Sequence, residues 1–335
     1  MARWYGGHRN HGRRWVYVIL VLLIAAVVVA YIYRGHSLGK EEAVAPSAST
    51  VETTESKTSV SGVKPETGAD LAKFVKPAAE DNPAAAELIT EATSYIGAKP
   101  AKIIDARDKL NEALSMPMSE RQRAYVKEQL SSLADKWLFS RTIYPQDKLT
   151  GSYTVKPGEL LSTIGKQFKV PYEILMEINR INRPEALQAE EMIKVINGPF
   201  HARVYRSTFT MDLYLQTTFI RSFRVGLGKP DRQTPTGLWR VKPGGKLPSP
   251  LWTDPDTSEV IHPESPDYPL GSRWIELEGV EEGTEGRTGI GIHGTKESET
   301  IGSADSRGCI RLDNGNVILL YNLLVPVHSL VRIEE

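Results

Sequence analysis

One cysteine, Cys309, stands in a chain of 335 residues. That scarcity excludes an intramolecular disulfide, and with it the thiolate-rich zinc sites that need several cysteines at set spacings. Charge bias is missing too: 41 Lys and Arg face 41 Asp and Glu. No global field therefore points to nucleic acid or to an acidic partner. Residues 37–70 hold no aromatic side chain, and residues 15–33 hold no charge, proline or glycine. Each of these two local absences says something about organisation.

The charge-free run WVYVILVLLIAAVVVAYIY (15–33) covers roughly 28 Å at a rise of ~1.5 Å per residue, close to the hydrocarbon thickness of a bilayer. Trp15, Tyr17, Tyr31 and Tyr33 lie near its ends, where amphipathic rings suit the interface. Arg3, Arg9, Arg13 and Arg14 precede it without a compensating acid. The expectation is a single-pass anchor with a basic cytoplasmic tail (1–14), a membrane partner in the inner membrane, and everything beyond exported to the periplasm or cell-wall space. A cleaved signal peptide is the competing reading, against which stand the length of the run and its loose Val28-Val29-Ala30 cleavage match. Residues 37–70, rich in Ser, Thr, Glu, Ala, Val and Pro, cannot bury enough apolar surface to offset chain entropy. They are expected to form a disordered tether spanning ~32 Å root-mean-square as a flexible coil.

Residues 82–140 carry helical periodicity. Leu88, Ile89, Ala92, Tyr95 and Ile96 share one face, Pro100 fits a first helical position before Ile103, and Ser119 with Gln122 spells a capping box. A small all-α region resembling a tetratricopeptide hairpin is expected, either a spacer or a site for a protein partner. From 152 to 197 the order becomes strand, two helices, strand. With Tyr153–Glu159 (YTVKPGE), Leu161–Val170 (LSTIGKQFKV) and Leu175–Asn179 (LMEIN), this unit resembles a LysM domain. The resemblance implies binding of N-acetylglucosamine-containing glycan, that is, peptidoglycan. Leu160 stands where that family usually has Thr or Ser, and Glu190 where a turn glycine is usual.

Residues 200–335 read as β-rich. Ala202–Phe209, Met211–Gln216 and Thr218–Val225 are expected strands, while Thr234–Gly237, Lys242–Gly245 and Tyr268–Gly271 are expected turns, giving an antiparallel sandwich or barrel. Two segments carry chemistry, Gly289–Thr295 with His293 and Ser306–Leu312 with Cys309. A free thiol has a pKa of about 8.5, so a cysteine nucleophile needs a nearby base or positive potential. His293 is the candidate base. Arg307 and Arg311 flank the sulfur and could favour the thiolate, and the N–H groups of Gly308 and Cys309 could form an oxyanion hole.

His293-Gly294, Ser306-x-Gly308-Cys309-x-Arg311 and the upstream Thr234-Pro-Thr-Gly237 together resemble the L,D-transpeptidase catalytic domain of the YkuD type. The resemblance implies that Cys309 attacks the third residue of a peptidoglycan tetrapeptide stem and expels the terminal D-alanine. It also implies that His293 takes the thiol proton, that the Gly294 carbonyl orients the imidazole, and that Arg311 contacts a substrate carboxylate. Ser306, Arg307 and Gly308 complete the substrate-binding and oxyanion set. The family commonly has His at position 307. No cofactor, metal or nucleic acid is expected. An L,D-carboxypeptidase and a non-catalytic wall tether are the alternatives. The dinucleotide-like pattern Gly289-x-Gly-x-x-Gly294 lacks a following helix, and His201, His262 and His328 have surface or packing roles.

Overall fold

The structure is a computed structural model that describes residues 78–335. The basic tail (1–14), the apolar run (15–33) and the tether (37–70) lie outside the described residues. Among the described residues no helix is long and apolar enough to cross a membrane.

Three helices come first: α1 (Pro83–Gly97), α2 (Ile103–Leu114) and α3 (Glu120–Trp137). Asn82 caps α1 by accepting from Ala84 N and Ala85 N, with Pro83 at the position where a missing N–H costs nothing. Pro100 does not open α2 as expected; the helix starts at Ile103. Lys102 N donates to Tyr95 O (2.9 Å), so residues 98–102 turn back along the end of α1 before α2 can begin. Only half of the capping box forms. Ser119 Oγ accepts from Gln122 N (3.1 Å), but the Gln122 side chain crosses to the backbone of Asn82, joining the starts of α1 and α3.

The next unit pairs β1 (Thr150–Thr154) antiparallel with β2 (Met192–Ile196) around α4 (Leu161–Gln167) and α5 (Tyr172–Asn179). Leu161, Ile164, Ile174, Leu175 and Ile178 are buried. The Asn179 side chain bonds Leu175 O, Lys194 O and Lys194 N, pinning α5 to β2. Leu160 occupies the N-cap of α4 without a side-chain cap and is exposed. Glu190 adopts a φ of +64°, a left-handed conformation that costs an L-residue more than glycine.

The remaining strands are β3 (Phe200–Tyr205), β4 (Thr210–Leu215), β5 (Thr218–Arg224), β6 (Leu227–Gly228), β7 (Gly237–Leu247), β8 (Trp252–Thr253), β9 (Val260–Ile261), β10 (Trp274–Gly279), β11 (Ile290–His293), β12 (Ala304–Ser306), β13 (Ile310–Arg311) and β14 (Leu330–Glu334), with α6 (Asn314–Leu323) before the last. Eight of them make one sheet in the order β13-β11-β10-β7-β14-β3-β4-β5. The expected antiparallel sandwich or barrel is corrected to a curled mixed sheet, because β11 with β13 and β14 with β3 run parallel. Parallel neighbours need long crossovers, which a pattern of short strands and turns does not reveal. Gly226, two residues past β5, exchanges both backbone hydrogen bonds with Arg311 (2.9 Å each), so the curl ends in one bridge at the far edge. Lys242–Gly245 is not a turn between elements. It lies inside β7, where the register jumps between the Ile275–Lys246 and Leu277–Val241 pairs, and this bulge accommodates a proline with no N–H to offer the ladder.

Buried charged groups hold the three parts together. Lys127 Nζ on α3 meets the fully buried Asp212 carboxylate on β4 at 2.6 Å, and Arg107 on α2 meets Asp147 at 2.8 Å just before β1. Lys194 on β2 is buried, with Nζ donating to the carbonyls of Trp137, Ser140 (2.9 Å) and Thr142 (2.7 Å) at the end of α3. Burial lowers its pKa to about 8, opposed by the charge of Asp147. Lys194→Met is expected to strand these carbonyls and to remove about 2–4 kcal/mol of stability, read as a lower urea midpoint.

Candidate active site

Three strands set one row of side chains. Trp274 on β10 is registered with His293 on β11, and His293 with Arg311 on β13. Ile292 and Ile310, paired one residue earlier, are fully buried and fix that register from the opposite face. Cys309 lies in the bend immediately before β13, two residues ahead of Arg311, with its sulfur against the segment that leads into β11. The fold thus brings together the histidine and cysteine segments that are sixteen residues apart in sequence.

His293 is buried and stacked on the Trp274 indole, with centroids 5.7 Å apart at 26°. Its Nδ1 lies 2.6 Å from Gly294 O. A carbonyl oxygen only accepts, so Nδ1 carries the hydrogen and Nε2 keeps its lone pair. Burial lowers the imidazole pKa to about 4; the Gly294 bond pulls it up and the Arg311 charge pushes it down again. The ring is therefore neutral near pH 7, the state a proton acceptor needs.

Cys309 is half-buried, its sulfur 3.9 Å from Gly289 O. Burial raises the thiol pKa, against a backbone hydrogen bond from Gly291 and the charge of Arg311, which both lower it. At rest the thiol and the imidazole are both neutral. Ser306 shapes the turn beneath it. The Ser306 hydroxyl accepts from Gly308 N (3.1 Å) and donates to Cys309 O (2.6 Å), and Gly308 takes a φ of +115° that a side chain would strain. Of the two N–H groups expected to receive an oxyanion, that of Gly308 is thus engaged by the Ser306 hydroxyl.

The two arginines part company. Arg311 is mostly buried; its NH1 makes only long contacts, 3.4 Å each, to Glu297 and Thr300, and its Nε is buried without a hydrogen-bond partner. Arg307 does not flank the sulfur as a free cation, because its guanidinium is held by Asp254 (2.9 Å) and Asp256 (3.1 Å).

Sequence reasoning missed Trp274 as the floor of the imidazole and Asn314 as a tie. Asn314 Oδ1 accepts from Ser272 N (2.9 Å) and its Nδ2 donates to Thr295 O (2.9 Å), joining the loop before β10 to the segment after His293. An added Cβ at Gly294 would fall 2.2 Å from Asn314 Oδ1, and one at Gly291 would fall 2.6 Å from the Trp274 ring. The only signal in sequence was the placing of small residues around His293. A separate cavity of about 1210 Å³ lies between α2, α3 and β3–β5, lined by Lys127, Tyr205 and Asp212 but by none of the Cys309 site. Among the described residues no cluster of His, Cys, Asp and Glu is placed to hold a metal.

A curled mixed sheet that pairs the histidine strand with the strand following the cysteine matches a known class. The L,D-transpeptidase catalytic domain family, YkuD, matches residues 199–333, and the LysM domain family matches residues 153–195. The chain therefore carries an L,D-transpeptidase catalytic domain of the YkuD family, preceded by a LysM domain. YkuD of Bacillus subtilis, named as an L,D-transpeptidase, is 28% identical over 55% of this chain and 99% of its own length. YqjB of the same organism, named likewise, is 38% identical over 34% of this chain and 58% of its own. Among solved structures, an L,D-transpeptidase from Mycobacterium smegmatis aligns at 15% identity over 44% of this chain and 64% of that one, with a TM-score of 0.31.

The depressed histidine gives a direct check. A folded pKa near 4, below the usual ~6.5, means that the folded protein binds fewer protons than the unfolded chain between these values. Labelled-histidine NMR is expected to show the His293 ring neutral down to pH 5 and protonating near pH 4, with stability from this group falling as pH drops through that window. A midpoint near 6.5 would contradict the burial described here.

Proposed function

We propose that the chain is a cysteine-dependent L,D-transpeptidase acting on peptidoglycan, with Cys309 as nucleophile and His293 as general base. The observation that carries this reading is the tautomer fixed by Gly294 O, which leaves Nε2 of a neutral imidazole unprotonated on the strand paired with the one that follows Cys309. The names of the relatives support the reaction class.

His293 Nε2 removes the Cys309 proton as the sulfur adds to the carbonyl of the third stem residue. The Cys309 N–H stabilises the oxyanion, and Arg311, whose buried Nε is unpartnered, binds a substrate carboxylate with its planar fork. The tetrahedral centre collapses by breaking the C–N bond to D-alanine, whose amine takes the proton from His293, and a thioester remains. An acceptor amine, deprotonated by His293, then attacks the thioester. The new amide forms and Cys309 leaves as the thiol.

The LysM domain holds the glycan while the run 15–33 anchors the chain in the membrane and residues 37–70 give it reach. Catalysis then occurs on the outer side of that membrane, and the helical region 82–140 serves as spacer or partner site.

Incubation of the full chain with tetrapeptide-stem muropeptides, followed by mass spectrometry, tests the proposal. Wild type is expected to release D-alanine and form an acyl adduct on Cys309. Cys309→Ala removes both, and His293→Ala lowers the rate by at least about 100-fold, the usual worth of a general base. Dimeric products mark a transferase, and shortened monomers alone mark the carboxypeptidase. Wild type that gives neither D-alanine nor adduct sinks both.

A further inference from the structure

Resting on the reading of Cys309 as the nucleophile, we infer that Arg307 is a positioning residue that latches the β8–β9 hairpin to the cysteine turn and so sets the size of molecule that reaches the sulfur. The guanidinium contacts Asp254 at 2.9 Å and Asp256 at 3.1 Å, and lies 5.6 Å from the centroid of the Trp252 ring. All three partners belong to the hairpin or its tip. Asp254 also fixes the tip itself, accepting from Asp256 N (2.8 Å) and Thr257 N (3.3 Å). A second strut comes from Arg232, which meets Asp256 at 2.9 Å. The Arg232 carbonyl would lie 3.6 Å from a Cβ built on Gly308, so this strut rises from a segment packed against the cysteine turn.

The turn that carries Arg307 is stiff. Ser306 Oγ bonds both Gly308 N and Cys309 O, so the latch and the nucleophile share one small rigid loop. Leu251 and Val260 on the hairpin are exposed apolar side chains. On this inference the latched hairpin, which carries these apolar groups and is tied two residues from Cys309, screens the approach to the thiol, and its aspartates keep Arg307 from binding substrate carboxylates. Recognition of those anions falls to Arg311.

The lone cysteine allows a test that needs no substrate. The full chain is alkylated with iodoacetamide, small and neutral, and with a polyethylene-glycol maleimide, bulky and neutral. The ratio of the two rates cancels any change in thiolate population. Arg307→Ala, and separately Asp254→Asn with Asp256→Asn, are expected to raise the bulky-to-small ratio on the order of tenfold, the size expected when a network of half-exposed ion pairs is lost. Asparagine at 254 keeps the oxygen that caps the hairpin tip. Arg307→Lys, which keeps the charge but not the two-pronged contact, falls between. In wild type, 1 M salt, with a screening length of about 3 Å, moves the ratio the same way.

An unchanged ratio in the aspartate pair overturns the latch, even if Arg307→Ala fails to fold. Equal acceleration of both probes also overturns it, since that is a loosened turn rather than a released hairpin. Failure of muropeptide turnover with an intact probe ratio change instead removes the assigned reaction and leaves the latch standing.

Discussion

The parallel pairing of β11 with β13 is the contact on which the site depends. It is short, only Ile292 with Ile310 and His293 with Arg311, but both isoleucines are fully buried. A slip of one residue would turn Ile310 out of the core and carry Arg311 to the other face. The apolar face therefore enforces the register that the polar face uses. The bridge between Gly226 and Arg311 secures the outer edge of β13, so a two-residue strand is hydrogen-bonded on both sides.

Within that frame the chemistry is set by what is withheld from water. His293 lies between the Trp274 ring, the Gly294 carbonyl and the positive Arg311, and burial outweighs the one influence that favours its charge. The thiol is treated alike, with burial outweighing both the Gly291 N–H and Arg311. Because burial disfavours both ions, the proton transfer of the proposed function must accompany attack of the sulfur on the substrate rather than precede it. A preformed thiolate–imidazolium pair, by contrast, would leave His293 already protonated. The Arg311 Nε, buried without a hydrogen-bond partner, is the donor that the proposed function assigns to a substrate carboxylate.

That the segments of His293-Gly294 and Cys309-x-Arg311 meet in space was legible, because their residue types suggest one chemistry and they lie only sixteen residues apart. Burial of Ser306 in the cysteine turn was not legible, since a serine there reads equally as a substrate contact, whereas its hydroxyl is consumed by Gly308 N and Cys309 O. Arg307 misled for a related reason. Adjacency in sequence suggested a cation at the sulfur, while its partners Asp254 and Asp256 lie about fifty residues earlier and appear only when β8 and β9 fold back. The strands were readable singly, but Lys242–Gly245 carries turn composition inside a strand, and the parallel order of the sheet leaves no local trace. Residues 1–14, 15–33 and 37–70 rest on sequence alone.

Sequence departures in the LysM unit illustrate how a fold tolerates the loss of a favoured residue. Leu160 leaves α4 without a side-chain cap, and Glu190 holds a left-handed backbone. Each costs on the order of 1 kcal/mol. The Asn179 ties to β2 hold the unit itself together, and the Lys194 contacts with the end of α3 bury a charged group that is satisfied only when the unit is docked. Such contacts specify geometry more strictly than apolar packing, which accepts several registers, because a displaced charge is left unpaired. The same reasoning applies at Asp212, fully buried and held by Lys127 from α3. The three parts of the described chain are thus oriented by directional contacts. A glycan held by the LysM domain would then meet the Cys309 face from a fixed direction, rather than through a freely jointed arm.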